Sequence, residues 1–147
     1  MPPKLALHVD IDLPVEAFLP DDFIPDPRQK IDLYRRLTRV EAYEQLTLIR
    51  DEILDRFGRP PEAVERLLVL AERRLDAAVW QIESIFLDGE FLVFKTSHSP
   101  RLAQLKKDSR WPLRIVDEHS AYLKLKESQR KPENLLSVVK SVLQPGK

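Results

Sequence analysis

Asp51, Glu52 and Asp55 put three carboxylates at i, i+1 and i+4, with Arg56 directly after the last of them. On a helix, this spacing gathers negative charge on one face, and its chemistry is ion pairing rather than catalysis. Asp55 precedes Gly58 by three residues. That places it at the negative end of the helix dipole, where a carboxylate costs about 0.3–1 kcal/mol. An i,i+4 pair of Glu52 with Arg56 offsets part of that cost. Spacing alone leaves two meanings open: a solubilising face, or a docking site for an arginine-bearing partner.

Other reactive constellations are weaker. Three glycines, Gly58, Gly89 and Gly146, make no phosphate loop, and no G-x-x-x-x-G-K occurs. His8, His98 and His119 are far apart with no cysteine or carboxylate at ligand spacing. Ser97-His98-Ser99 sets a base between two hydroxyls, but adjacency in sequence is not triad geometry, and a loop leading to Pro100 accounts for it better. No catalytic residue, cofactor or metal is expected. Arg101, Lys106, Lys107, Arg110, Arg114, Lys124, Lys126, Arg130 and Lys131 lie near Trp111 and Tyr122, an interleaving that single-strand binders use. Because these charges alternate with apolar positions, solvated faces of a helix and two strands, with Trp111 in the core, are favoured over nucleic-acid contact.

A chain of 147 residues fits one domain and buries a core without staples. Its 33% charged content exceeds the usual quarter, but the formal charge sums to zero, so no net field attracts nucleic acid or membrane. The distribution is uneven: residues 1–26 carry six acids against Lys4, and residues 95–131 carry ten bases against four acids. There is no cysteine, which suits a cytoplasmic location. No apolar run reaches membrane-spanning length, and the acidic, proline-rich start does not fit a signal peptide.

Residues 5–13 alternate Leu5, Leu7, Val9, Ile11 and Leu13 with His8, Asp10 and Asp12, the period of a half-buried strand. Pro14, Pro20, Pro25 and Pro27 keep 14–27 extended, pinned by Phe18, Leu19, Phe23 and Ile24. A helix over 28–39 carries the stripe Ile31, Tyr34, Leu37. A second, over 40–57, buries Leu46, Ile49, Ile53 and Phe57 opposite the acids and stops at Gly58. Pro60-Pro61 with Glu62 and Glu65 opens a third, whose inner face is Val64, Leu67, Leu68, Ala71, Leu75 and Ala78, with Arg73 and Arg74 in its later turns. Residues 82–87 and 90–96 flank Asp88-Gly89, a type I′ hairpin pair. A short helix over 100–107, a second hairpin (113–116 and 121–126) and a closing helix over 131–143, with Leu135, Leu136, Val139 and Leu143 inward, complete the order. The expected class is α+β, with helices packed on a small antiparallel sheet built from two hairpins and a closing C-terminal helix. Residues 1–27 are expected to be an extended leading segment with one strand, and 28–147 a single domain.

IDLP at 11–14, LPDDFIPD at 19–26, IDLYRRL at 31–37, EILDRFG at 52–58, Pro60-Pro61 and the run 67–75 together resemble the C-terminal domain of bacterial transcription-repair coupling factors. The likeness runs to about residue 143 and is most specific over 11–76. These factors are large ATP-driven DNA translocases that remove stalled RNA polymerase and recruit nucleotide-excision repair. The resemblance implies a non-catalytic, monomeric regulatory domain that folds back on an N-terminal module like UvrB, masking its UvrA-binding surface until the translocase engages stalled polymerase. Carried over, the docking positions are Glu52 and Asp55, with Arg56 and Asp51 beside them. The alternative is an accessory domain of the same motor that contacts DNA through 101–131.

Overall fold

The computed structural model describes residues 9–144, so the strand positions expected at 5–8, with His8, lie outside the described residues. The chain divides into two compact units, Val15–Leu75 and, among the described residues, 9–14 with 76–144. The division falls inside a helix, between Leu75 and Asp76.

In the first unit the prolines do local work. Phe23 and Ile24 donate their N–H groups to the Pro20 carbonyl at 3.1 and 3.0 Å, turning the chain. Asp21 pairs with Lys30. Asp26 caps helix α1 (Pro27–Thr38) by accepting the Arg28 N–H at 2.9 Å, and Pro27 fills the first helical position, where no N–H is needed. Leu19 and Ile24 are buried as expected and Phe23 packs beside them, but Phe18 is exposed.

The inner face of α1 is Leu33 and Leu37, not the expected Ile31/Tyr34/Leu37 stripe, and Ile31 is 56% exposed. At about 100° per residue, Leu33 and Leu37 stand one above the other, with Ile31 well round the cylinder. Tyr34 is a rim residue whose hydroxyl accepts the Leu19 N–H at 2.8 Å. Helix α2 (Tyr43–Phe57) starts three residues later than expected. Ala42 offers no side-chain cap, but Gln45 Oε1 reaches back to the N–H groups of Glu41 and Ala42 at 2.6 and 3.3 Å. Gly58, at φ +92°, ends α2. Helix α3 (Glu62–Val79) opens with Glu62 and Glu65 in its first turn. Leu19, Ile24, Leu33, Leu37, Leu46, Ile49, Ile53, Val64, Leu68 and Ala71 form the core of this unit, with Phe57 and Leu67 partly buried against it.

The second unit is a five-stranded sheet in the order β1-β2-β3-β5-β4, with strands β1 (Asp10–Asp12), β2 (Ser84–Asp88), β3 (Phe91–Lys95), β4 (Arg114–Asp117) and β5 (Ser120–Lys124). The two expected hairpins are present and adjoin through β3 and β5. The expected α+β class and antiparallel hairpin sheet are present, and β1 adds a strand parallel to β2 that makes the sheet mixed. In the first hairpin Asp88 pairs with Phe91, so the turn residues are Gly89 and Glu90. Only Gly89 has positive φ (+60°), which matches a type II′ turn rather than I′. Leu92, Val93 and Phe94 are fully buried on consecutive positions of β3, so both faces of the central strand are covered. All four residues of the edge strand β4 are exposed, and a register irregularity interrupts its pairing between Ile115 and Asp117.

Helices α4 (Ser99–Asp108) and α5 (Pro132–Leu143) belong to this unit, and a 3₁₀ turn at Glu127–Arg130, not foreseen from sequence, leads into α5. Trp80 Nε1–H donates to the Leu143 carbonyl at 2.6 Å, and Gln144 donates to the buried Asp76 at 2.8 Å. Arg73, placed simply in a later turn by the sequence pattern, is 5% exposed and pairs with Glu72 at 2.8 Å.

Ile53 and Leu68 have no exposed surface, so Ile53→Ala and Leu68→Ala should each lose about 2–5 kcal/mol in urea unfolding. Ile31→Ala should stay within about 0.5 kcal/mol of the parent. A large loss at Ile31 would contradict the observed face of α1. Gly89→Ala meets no neighbouring atom within 4 Å, so its loss should be only about 1 kcal/mol, from the positive φ alone.

Candidate functional site

Helix α2 shows three sides. Leu46, Ile49 and Ile53 point inward, and Asp51 and Asp55 are exposed on the outward side with no ion pair to any described residue. Glu52 behaves differently from the expectation that it shares this free face. About 100° from the inward direction, it sits on the flank of the helix, its side chain 30% exposed. There it meets α1: Arg36 donates Nη1–H to Oε2 and Nη2–H to Oε1, both at 2.8 Å. Arg56, one turn on, donates to Oε2 at 2.8 Å, as the i,i+4 spacing suggested. The Arg56 guanidinium also lies 5.1 Å from the centre of the Phe57 ring, so its position is fixed from two sides.

The fork-on-fork geometry of Arg36 and Glu52 is the strong form of a carboxylate pair. The hydrogen bonds from Arg36 hold the Glu52 carboxyl well below the usual carboxylate range, from 4.5 down to about 2, with Arg56 adding to the effect and partial burial opposing it. The Arg36 guanidinium is correspondingly pushed up, chiefly by the hydrogen bonds it donates to Glu52. Asp32 stands 3.6 Å from Arg36 and completes the local charge set. Sequence reasoning missed Arg36. With the inner stripe of α1 placed on Ile31 and Tyr34, nothing drew attention to Arg36, whereas the true Leu33/Leu37 face sets it on the flank, pointed at α2.

The remaining candidates do not converge. Among the described residues no group of three or more His, Asp or Glu could hold a metal ion, and no helix is long and apolar enough to cross a membrane. Ser97 donates from both N–H and hydroxyl to Glu83, which holds that carboxyl below its ordinary range. His98 is the N-cap residue of α4, so Ser97-His98-Ser99 is a tied-down loop into a helix. His119 Nδ1 lies 3.0 Å from the Thr96 carbonyl. In the basic stretch, Lys106, Lys107, Arg110, Arg114, Lys124, Lys126 and Lys131 are exposed, Arg101 lies over the Trp80 ring at 4.8 Å, and Arg130 is 4.0 Å from Glu90. Trp111 is half-buried and donates to Ser141 Oγ at 2.8 Å, and Tyr122 packs against Phe91 with the rings tilted at 60° and their centres 5.6 Å apart. Both aromatics are engaged within the unit.

The lowered pKa of Glu52 has a definite sign. The folded state binds a proton at Glu52 less readily than the unfolded chain, so the Arg36 pair stabilises above about pH 4.5, and this is lost as pH falls toward 2. Glu52→Gln should cost on the order of 1–2 kcal/mol at pH 7 after solvent screening, with the gap from the parent closing below pH 3. Urea melts across that range check it; a gap independent of pH would mean the pair carries no such linkage.

The TRCF domain family model matches residues 13–106, from the end of the β1 segment through most of α4. A transcription-repair-coupling factor of Bacillus subtilis is 38% identical over 83 residues, 56% of this chain and 7% of that protein. The corresponding protein of Myxococcus xanthus is 25% identical over 147 residues, 97% of this chain and 12% of that protein. The chain thus spans only about a tenth of such relatives. A crystal structure titled as the C-terminal domain of transcription-repair coupling factor superposes with a TM-score of 0.73, at 21% identity and 92% coverage of each chain, and shares the fold. Since the matched span takes in the capped proline-rich segment, α1, the acidic α2 and α3, the chain belongs to the TRCF domain family of transcription-repair coupling factors.

Proposed function

We propose that this domain is an autoinhibitory docking module of a transcription-repair coupling factor. In the resting protein its α2 face holds the UvrB-like module and masks the surface that UvrA would use; engagement of the translocase with stalled RNA polymerase releases it. The observation that carries this is the outward side of α2: Asp51 and Asp55 exposed and unpaired among the described residues, beside a Glu52 whose orientation Arg36 and Arg56 fix. Two free carboxylates on a rigid helix, one of them Asp55 near the unfavourable end of the dipole, suit arginines on a partner surface. Chemistry would reside elsewhere in the parent, expected to be an ATP-dependent DNA translocase. Within this domain the named residues bind and are not catalytic.

A release of this kind needs only differential contacts between closed and open states, and a coupling of about 1–3 kcal/mol makes a sensitive switch. Contact with DNA through 101–131 is the competing role; against it, Trp111 and Tyr122, the aromatics of that stretch, are engaged with Ser141 and Phe91.

Titration of this domain with the isolated UvrB-like module tests the docking. Asp55→Ala and Asp51→Ala should weaken it by about 2–5 kcal/mol where the partner's arginine is left buried and unpaired. Their own melting should move by less than about 0.5 kcal/mol. Glu52→Ala should weaken docking and stability together, because it also frees Arg36. In a full-length factor, Asp51→Ala with Asp55→Ala should raise UvrA affinity; equal affinities for parent and variant would refute the masking. DNA binding that is micromolar at physiological salt and lost with Lys106, Lys107 and Arg110 changed to alanine would favour the competing role instead.

A further inference from the structure

A groove of about 290 Å³ opens beside the acidic face, lined by Arg36, Arg39, Val40, Gln45, Leu48 and Ile49. We propose that it is a second contact of the same docking surface, taking an apolar side chain flanked by a carboxylate from the partner whose arginine meets Asp51 and Asp55; this rests on the docking role above.

Three observations point to that occupant. Leu48 is 67% exposed, on the outward side of α2. It shares that side with Asp51 and Asp55 at i, i+3 and i+7, so groove and acids lie within about 10 Å along one helix. Arg39, another lining residue of the groove, is exposed and has no ion pair among the described residues. A free cation and an apolar groove therefore accompany the two anions, and the complementary partner presents a carboxylate, an apolar side chain and an arginine. The walls are also fixed in advance: Gln45 is held by the N–H groups of Glu41 and Ala42, and Arg36 by Glu52. Fixed walls reduce the ordering cost of binding. The volume falls at the lower end of the range for small-molecule pockets, roughly 300–1,000 Å³, and suits one or two side chains. An apolar centre with a charged rim is the usual make-up of a protein interface.

The test is calorimetric titration of the domain with the isolated UvrB-like module. Leu48→Glu should weaken binding at least tenfold and Arg39→Gln several-fold, with melting curves close to the parent's because both side chains are exposed. If Asp55→Ala weakens binding while Leu48→Glu leaves it at the parent value, the groove is refuted and the acidic docking stands. If Leu48→Glu weakens binding and the aspartate variants do not, the groove is a contact and the acidic docking fails. Absence of binding by the parent domain overturns both. A concentration-dependent dimer of the parent that Leu48→Glu abolishes assigns the groove to a second copy of this chain and overturns the proposed occupant.

Discussion

The first unit depends on one burial problem. Three amphipathic helices present Leu33, Leu37, Ile49, Ile53, Val64 and Leu68 to a common centre, and an extended proline-rich segment, not a fourth helix, fills the remaining side with Leu19 and Ile24. Ile24, Ile53, Val64 and Leu68 have no exposed surface. Burial of each such side chain contributes about 1.5–3 kcal/mol, against which an ordinary loop of this length would set a large ordering entropy. Prolines at 14, 20, 25 and 27 reduce that entropy in advance. They also remove backbone donors that an extended chain inside a core would have to satisfy. Four of the donors that remain find acceptors within the unit: Phe18 N–H the Ala63 carbonyl, Leu19 N–H the Tyr34 hydroxyl, and Phe23 and Ile24 N–H the Pro20 carbonyl. LPDDFIPD is therefore a structural signature, each of its parts tied to burial, a turn, an ion pair or a helix cap.

That core dictates where charge can go on α2. With Leu46, Ile49 and Ile53 turned inward, Asp51 and Asp55 have only solvent to face, while Glu52 falls on the flank against α1. The three acids, adjacent in sequence, thus split into a structural one and two available ones. Glu52 spends its hydrogen-bonding capacity on Arg36 and Arg56, and a partner seeking it would first have to displace a bidentate arginine. Asp51 and Asp55 carry no such obligation.

Legibility in the sequence followed the range of the interactions involved. Helices α2 and α3 could be read because their apolar period, Pro60-Pro61 and the Gly58 stop are local signals, and their inner faces match closely. The hairpins followed from Asp88-Gly89 and the turn near 117–120. Where the outcome hinged on tertiary contact, local pattern failed. In α1, Ile31, Tyr34 and Leu37 make as good a stripe as Leu33 and Leu37, and only the position of α2 and Leu19 decides between them. Strand β1 joins parallel to β2 across some seventy intervening residues, a partnership no local period encodes. The site was half legible for the same reason: the Glu52–Arg56 pair lies within about one helix turn, but the Arg36–Glu52 pair joins two helices through residues sixteen apart in sequence.

The Arg36–Glu52 pair also constrains any docking role of this surface. A carboxylate pulled down to about pKa 2 stays ionised throughout the physiological range, so proton uptake at Glu52 cannot act as a release signal. Nor can the pair exchange partners cheaply, since Arg36 would lose two short hydrogen bonds and keep only Asp32 nearby. On the proposed docking role, release of a partner held by Asp51 and Asp55 would therefore not run through Glu52, but through competition for the partner or its displacement. A helix face held in place by an Arg36–Glu52 pair that stays ionised suits one passive half of a switch, with the bistable element in the arrangement of the modules it is proposed to join.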